Sequence, residues 1–186
     1  MEFFSTAQWD EALWREINPI YQDAFHHGAK PEKVIRNMFV KKLSQFHVAI
    51  EGTHVVAFAL TGGIEEAKIL LIDYFAVEQN KRRSGIGREL LQYVREWALQ
   101  QGIYDRLLIE VESEPTSENQ GRIHFWQKCG FHLVSDYTQH YIWFPQPYQA
   151  MWMDLSTKRE IPKGSQLFKL INSFHKKSFQ GVQKTI

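Results

Sequence analysis

The sequence predicts an α/β domain, and three observations lead there. Residues 69–77, Ile-Leu-Leu-Ile-Asp-Tyr-Phe-Ala-Val, are apolar on both faces of a strand apart from Asp73 and Tyr74. A glycine-containing turn follows. Ile86, Leu90, Leu91, Val94, Trp97 and Ala98 then recur at helical spacing, so a buried strand feeds an amphipathic helix. Further strand-like runs lie on both sides, at residues 46–51, 54–60 and 107–112.

The elements follow in order. Residues 1–5 read as a short first strand. Residues 9–27 read as a helix with Trp9, Leu13, Ile17, Ile20 or Tyr21, and Phe25 on one side, ended by Gly28. Pro31 fits the first turn of a second helix, which runs to about residue 43. The runs at 46–51 and 54–60 flank Gly52-Thr53 and read as a hairpin. The central strand and its helix come next, with Gly102 as the stop. A strand at 107–112 leads to a helix that ends at Gly130, which suits the position after a helix C-terminus. Residues 131–138 and 148–155 are the last strands, around the connection Trp143-Phe144-Pro145-Gln146-Pro147.

Beyond residue 155 the character changes. Residues 156–186 hold seven Lys/Arg and one acid, a charge of +6, which leaves −5 on residues 1–155 of a chain at +1. Leu167, Leu170, Ile171 and Phe174 have helical spacing. The expected organisation is a domain over 1–155 and a basic C-terminal extension over 156–186. That extension packs on the domain as a helix or forms a contact between two copies, which leaves a homodimer open.

Composition excludes several classes. With 44% hydrophobic and 23% charged residues, the 186-residue chain has globular rather than disordered usage. A net charge of +1 gives no global field for nucleic acid, so no nucleic-acid partner is expected. Cys129 is the single cysteine, so no internal disulfide can form, which suits a reducing compartment. No apolar run is long enough to span a membrane, and no basic start leads into an apolar stretch. A cytoplasmic protein is expected. The eight histidines show no metal-ligand spacing, so no metal is expected.

The turn between the central strand and its helix carries the chemistry. It reads Glu78-Gln79-Asn80-Lys81-Arg82-Arg83-Ser84-Gly85-Ile86-Gly87-Arg88. The first N–H groups of a helix lack intrahelical acceptors, and the helix dipole places positive charge there. Gly85 and Gly87 let a ligand oxygen approach the backbone, and Arg82, Arg83 and Arg88 add charge. The plainer alternative is a turn that uses glycine for geometry and arginine for solubility. A Walker loop is absent. A dinucleotide fingerprint fails because Leu90 stands where a small residue is needed, and no ribose-binding acid follows.

What remains, Arg82-x-x-Gly85-x-Gly87 five residues after Val77, resembles the acyl-CoA pyrophosphate signature [RQ]-x-x-G-x-[GA] of the GCN5-related N-acetyltransferase (GNAT) superfamily. A second stretch is similar to that superfamily's N-x-x-A-x-x-[FL]-Y-x-K-x-G-F pattern. Asn119, Phe125, Lys128, Gly130 and Phe131 match, while Arg122 replaces the alanine and Trp126 the tyrosine. The resemblance is close over residues 70–137 and looser over 1–155.

The resemblance implies a mixed, mainly antiparallel central sheet flanked by helices, and transfer of an acetyl group from acetyl-CoA to a primary amine. The acceptor would be a small molecule or peptide, held by the first two helices and the last strands, with Trp143, Phe144, Tyr148 and Trp152 as lining or core. Backbone near Phe75 and Val77 would bind the pantetheine arm and polarise the thioester. N–H groups from Arg83 through Ser84, Gly85, Ile86 and Gly87 to Arg88 would hold the pyrophosphate, beside Arg82, with Asn119 and Lys128 as further cofactor-side matches. An alkylammonium of pKa ~10 must lose a proton at neutral pH. Asp73 is a candidate base because four residues separate it from Val77, which places both on one face of a regular strand. Glu110 and Glu112 share a face of the next strand and are the other candidates. In many relatives the tyrosine at the Trp126 position protonates the departing thiolate, and an indole does not supply a proton. Either the thiol, of pKa ~8.5, leaves without that acid, or Trp126 marks a non-catalytic acyl-CoA sensor. Tyr137 and Tyr141 are replacement donors if the fold brings them close.

Overall fold

The computed structural model describes residues 1–142, 145–156 and 162–182. β1 (Glu2–Thr6) leads into α1 (Glu11–Ala24). Asp10 starts that helix, because its Oδ1 accepts from the N–H groups of Ala12 and Leu13 at 2.7 and 2.9 Å. The cap places Trp9 outside the helix, where the apolar period alone would include it. α2 (Glu32–Val40) follows, then β2 (Ser44–Glu51) and β3 (His54–Ile64) as a hairpin. β3 runs four residues past Leu60. Gly62 and Gly63 both pair in the sheet, with Ser44 and Leu71 and with Leu70.

β4 (Ile69–Val77) is the central strand. A short 3-10 turn at Gln79–Lys81 joins it to α3 (Ile86–Gln101), and Gly102, at φ 68°, ends that helix as expected. β5 (Arg106–Glu112), α4 (Ser117–Lys128), β6 (His132–His140), β7 (Pro147–Asp154) and α5 (Gly164–Phe179) complete the chain.

The seven strands form one sheet in the order β1-β2-β3-β4-β5-β7-β6. Every pair is antiparallel except β4 with β5, which gives the mixed, mainly antiparallel sheet that the sequence resemblance implies. The parallel pair is short. Ile69, Leu70 and Leu71 face Arg106, Leu107 and Leu108, and the pairing then stops. β4 stays paired with β3 through Val77, and β5 stays paired with β7 through Glu112. The two strands therefore diverge in the middle of the sheet.

A core lies on each face. One packs α1, α2 and α5 on the sheet through residues such as Ile17, Ile35, Phe168, Ile171 and Phe174 against Phe58, Leu60 and Leu71. The other packs α3 and α4 through Ile86, Leu90, Val94 and Trp126 against Leu70, Ile72 and Ile109. α5 is pinned along its length. Asp136 accepts from the Gly164 N–H at 2.9 Å. Asn37 donates to the Ser178 and Gln180 carbonyls at 3.1 Å, and Lys41 donates to Lys177 and Gln180. A Cβ built on Gly62 would collide with the Phe174 ring, so this glycine serves a close approach of helix to sheet. Gly62→Ala is expected to destabilise the fold by about 1–3 kcal/mol through overpacking, read by urea denaturation. An unchanged midpoint would mean that α5 yields freely. Among the described residues no helix is long and apolar enough to cross a membrane.

Candidate active site

β4 carries a bulge. Leu60 of β3 faces Tyr74, and Thr61 faces Ile72, so Asp73 is the extra residue. The bulge resets the alternation. Val77 and Phe75 pack with the α3–α4 core, whereas Asp73 meets Lys30 and His175 on the face of α1, α2 and α5. The expectation that Asp73 and Val77 share a face assumes a regular strand and is corrected here, because one inserted residue reverses every later side chain.

On the α3–α4 face the turn after β4 forms a cradle. Among the described residues the N–H groups of Arg83, Ser84, Gly85, Ile86 and Gly87 donate to no acceptor within the protein. They stand at the N-terminus of a 16-residue helix that has no side-chain cap. Gly85 sits at φ 98° and Arg83 at φ 67°, so left-handed backbone shapes the turn at both positions. Arg82 is used structurally: its Nε donates to the Val77 carbonyl at 3.1 Å, and its guanidinium meets Asp23 of α1 at 2.6 Å. Arg83, Ser84 and Arg88 are exposed, and Ile86 is buried. A Cβ on Gly87 would lie 3.4 Å from Val77 and 3.5 Å from Phe125, ordinary contact distances, so α3 rests against β4 and α4 at this position.

The same face holds the α4 residues. Asn119 is buried and donates to the Glu114 carbonyl at 3.1 Å, while Thr116 caps the helix. Lys128 is exposed in the last turn. Trp126 is buried edge-on to Phe75, with centroids 5.2 Å apart, and also packs on Phe125 and Phe131.

On the opposite face, where β4 and β5 part, lies a buried polar cluster. Lys30, in the link between α1 and α2, puts Nζ 2.7 Å from both Asp73 oxygens, with side chains 5% and 2% exposed. Its backbone is tied down as well: Lys30 N–H donates to the Tyr74 hydroxyl at 2.9 Å, and its carbonyl accepts from Tyr21 at 3.0 Å. Glu110 of β5 accepts from the Tyr141 hydroxyl at 2.7 Å and contacts His175 Nε2 at 2.8 Å. Burial pushes the Glu110 carboxyl up, but the hydrogen bond and charge of His175, the Tyr141 hydroxyl and the Lys30 charge together hold it below the ordinary carboxylate range. Burial and the Glu110 charge push the Tyr141 hydroxyl up, so it stays protonated. Glu112, at the strand end, reaches Arg122 at 3.5 Å.

The predicted site residues thus divide between the faces. The turn, Phe75, Val77, Asn119, Trp126 and Lys128 belong to one, and Asp73 and Glu110 to the other. Tyr141 reaches Glu110, and Tyr148 meets Tyr141 edge-on with centroids 5.5 Å apart. Tyr137 instead packs on Phe168. Trp152 is core, and Trp143 and Phe144 lie outside the described residues. Two residues of the cluster, Lys30 and His175, have no motif to mark them. The available signal for His175 was its place after Phe174 on the inward flank of an amphipathic helix.

A family model described as the acetyltransferase (GNAT) family matches residues 10–131. No curated protein matches the chain. Solved structures similar to it include an aminoglycoside 6'-N-acetyltransferase complexed with coenzyme A, 12% identical at a TM-score of 0.70, covering 86% of this chain and 100% of that one. The ribosomal-protein-S18-alanine N-acetyltransferase from Escherichia coli is 16% identical at 0.63, covering 87% and 99%. An IAA acetyltransferase from Bacillus cereus is 18% identical at 0.60, covering 82% and 99%. At these identities the likeness is one of fold.

Proposed function

Since the chain belongs to the GNAT acetyltransferase family, enzymes that use acetyl-CoA, we propose that it acetylates a primary amine that enters from the face of α1, α2 and α5. One observation carries this reading. The gap where β4 leaves β5 has an unclaimed N–H cradle on one face and a carboxylate cluster on the other. Donor and acceptor can therefore approach from opposite sides and meet between the strands.

The residues divide the work. The N–H groups from Arg83 to Gly87 hold the donor's pyrophosphate, with Arg83 and Arg88 adding charge and Arg82 fixing the turn to β4 and α1. The unpaired edge of β4 at Phe75 and Val77 supplies backbone groups for the donor arm and for the thioester oxygen. Oxyanion donors of this kind contribute about 3–4 kcal/mol to such transfers. Asn119 and Lys128 bound the same face. Trp126 and Phe75 form an apolar wall that keeps water from the thioester. Trp126 supplies no proton, and the thiol leaves as a thiolate of pKa ~8.5.

Among the carboxylates, Glu110 is the one that faces the acceptor. Asp73 is 2% exposed and neutralised by Lys30, and Glu112 is turned to Arg122. Glu110 is 19% exposed and negatively charged, so it draws a cationic amine toward the gap.

CoA release from acetyl-CoA, assayed over a panel of small amines, polyamines, amino acids and peptides, tests the reading directly. Turnover with at least one amine is expected, and tight acetyl-CoA binding with no amine acetylated would overturn it. The cradle has its own test. Gly85→Val forces a β-branched residue to φ 98° and so disturbs the N–H array. Hydrogen bonds to a charged group are worth roughly 1.5–3 kcal/mol each, so acetyl-CoA affinity is expected to fall at least about tenfold by calorimetry. A folded variant with unchanged affinity would make the turn merely structural.

A further inference from the structure

α5 brings one titratable side chain to the gap. Asp73 and Glu110 each stand two residues beyond the last paired residues, Leu71 and Leu108. The His175 imidazole bridges them, with Nε2 2.8 Å from Glu110 Oε1 and Nδ1 3.8 Å from Asp73 Oδ1. Nδ1 is buried and makes no hydrogen bond among the described residues, though the side chain as a whole is 21% exposed. A buried polar atom without a partner calls for an explanation.

We infer that His175 takes the acceptor's proton at Nδ1 while Glu110 holds its ring, an inference that rests on the amine acetylation proposed above. A carboxylate only accepts, so the 2.8 Å contact puts a proton on Nε2, and in the neutral tautomer that this fixes the lone pair is on Nδ1. Glu110 is a poor final acceptor because both of its oxygens are engaged, Oε2 by the Tyr141 hydroxyl and Oε1 by His175 Nε2. Asp73 is no better, with both oxygens on Lys30.

The surroundings accommodate the cation that forms. Glu110 on β5 and Asp73 on β4 flank the ring, and Lys30 from the α1–α2 link already balances Asp73. Tyr141, 6.4 Å away between ring centroids, and Tyr148 beside it stay neutral; burial and the Glu112 and Glu110 charges push the Tyr148 hydroxyl up to about 12. On α5 itself, Lys177 is directed to Glu66.

The step balances. An ammonium R–NH3+ gives one proton to Nδ1. The freed lone pair forms the N–C bond to the acetyl carbon, and the C–S bond breaks with its electron pair on sulfur. The nitrogen's surplus proton ends on that sulfur, and His175 returns its own to water.

His175→Gln and the wild type, compared with the best amine of the panel from about pH 6 to about pH 10, test the inference. A general base contributes 10²–10⁴-fold, so kcat of His175→Gln is expected to fall about 100-fold or more at neutral pH, with acetyl-CoA affinity unchanged. The deficit should narrow as pH nears the amine's pKa of ~10, where free amine is abundant. A folded His175→Gln with kcat within about threefold of wild type overturns this inference alone, whereas a wild type that acetylates no amine overturns the functional reading beneath it. Should the variant fail to fold, the imidazole nitrogen NMR spectrum of the wild type decides: a neutral ring protonated at Nε2 supports the inference, and one protonated at Nδ1 overturns it.

Discussion

Lys30→Ala is expected to destabilise the protein by about 3–5 kcal/mol, the usual cost of breaking a buried ion pair from one side. The truncation leaves Asp73, 2% exposed, without the ammonium that neutralises it and on the same imidazole as a second carboxylate, Glu110. Chemical denaturation at neutral pH measures the loss, and a cost below about 1 kcal/mol would show that water replaces the ammonium. Replacing both partners, Lys30→Met with Asp73→Leu, should recover most of the stability, since neither charge then needs burial. Asp73→Asn separates the two roles open to this carboxylate. It strands Lys30 and should lower stability. Turnover per folded molecule should persist if Glu110 and His175 carry the chemistry, and its loss would return Asp73 to the role of base.

Acid should destabilise the fold through a different group, His47. This side chain is fully buried between β1 and β3, with Nδ1 2.6 Å from Ser5 Oγ and Nε2 2.9 Å from Thr61 Oγ1. Ser5 donates onward to Tyr93, so Ser5 accepts from Nδ1–H and Thr61 donates to Nε2. The neutral ring is thereby satisfied, and the cation would have no counter-charge. Burial pushes its pKa down from 6.5 to about 3. Between those two values the unfolded chain binds a proton that the folded chain refuses, so stability is complete above about pH 6.5 and falls as pH drops. At about 1.4 kcal/mol per pH unit the loss by pH 3 approaches roughly 5 kcal/mol. Denaturation midpoints measured at pH 7 and at about pH 4.5 for the wild type and for His47→Gln check this. The variant should lose this part of the acid sensitivity, and equal slopes in both proteins would assign it elsewhere.

Much of this architecture was legible in the linear chain. The β4–turn–α3 unit could be read because a buried strand, an uncapped helix start and a glycine stop are local patterns within about thirty residues. The N–H cradle is likewise a property of one contiguous turn. Boundaries were less legible where one residue outweighed the pattern. Asp10 excludes Trp9 from α1 through two hydrogen bonds, and Gly62 continues a strand because a ring from α5 needs its space.

By itself, then, the sequence determined the order of strands and helices, the glycine turn before α3 and the family pattern, all of which depend on periodicity and spacing along the chain. Only the tertiary structure decided which acids meet. The bulge at Asp73 turned it away from Val77, a displacement that no alternating pattern contains. Lys30, Glu110, Tyr141 and His175 come from four separate stretches, and His175 lies 65 residues from Glu110. Their pairing follows from the need to neutralise and hydrogen-bond charges that the diverging strands bury. That requirement operates in space, and the sequence leaves no mark of it.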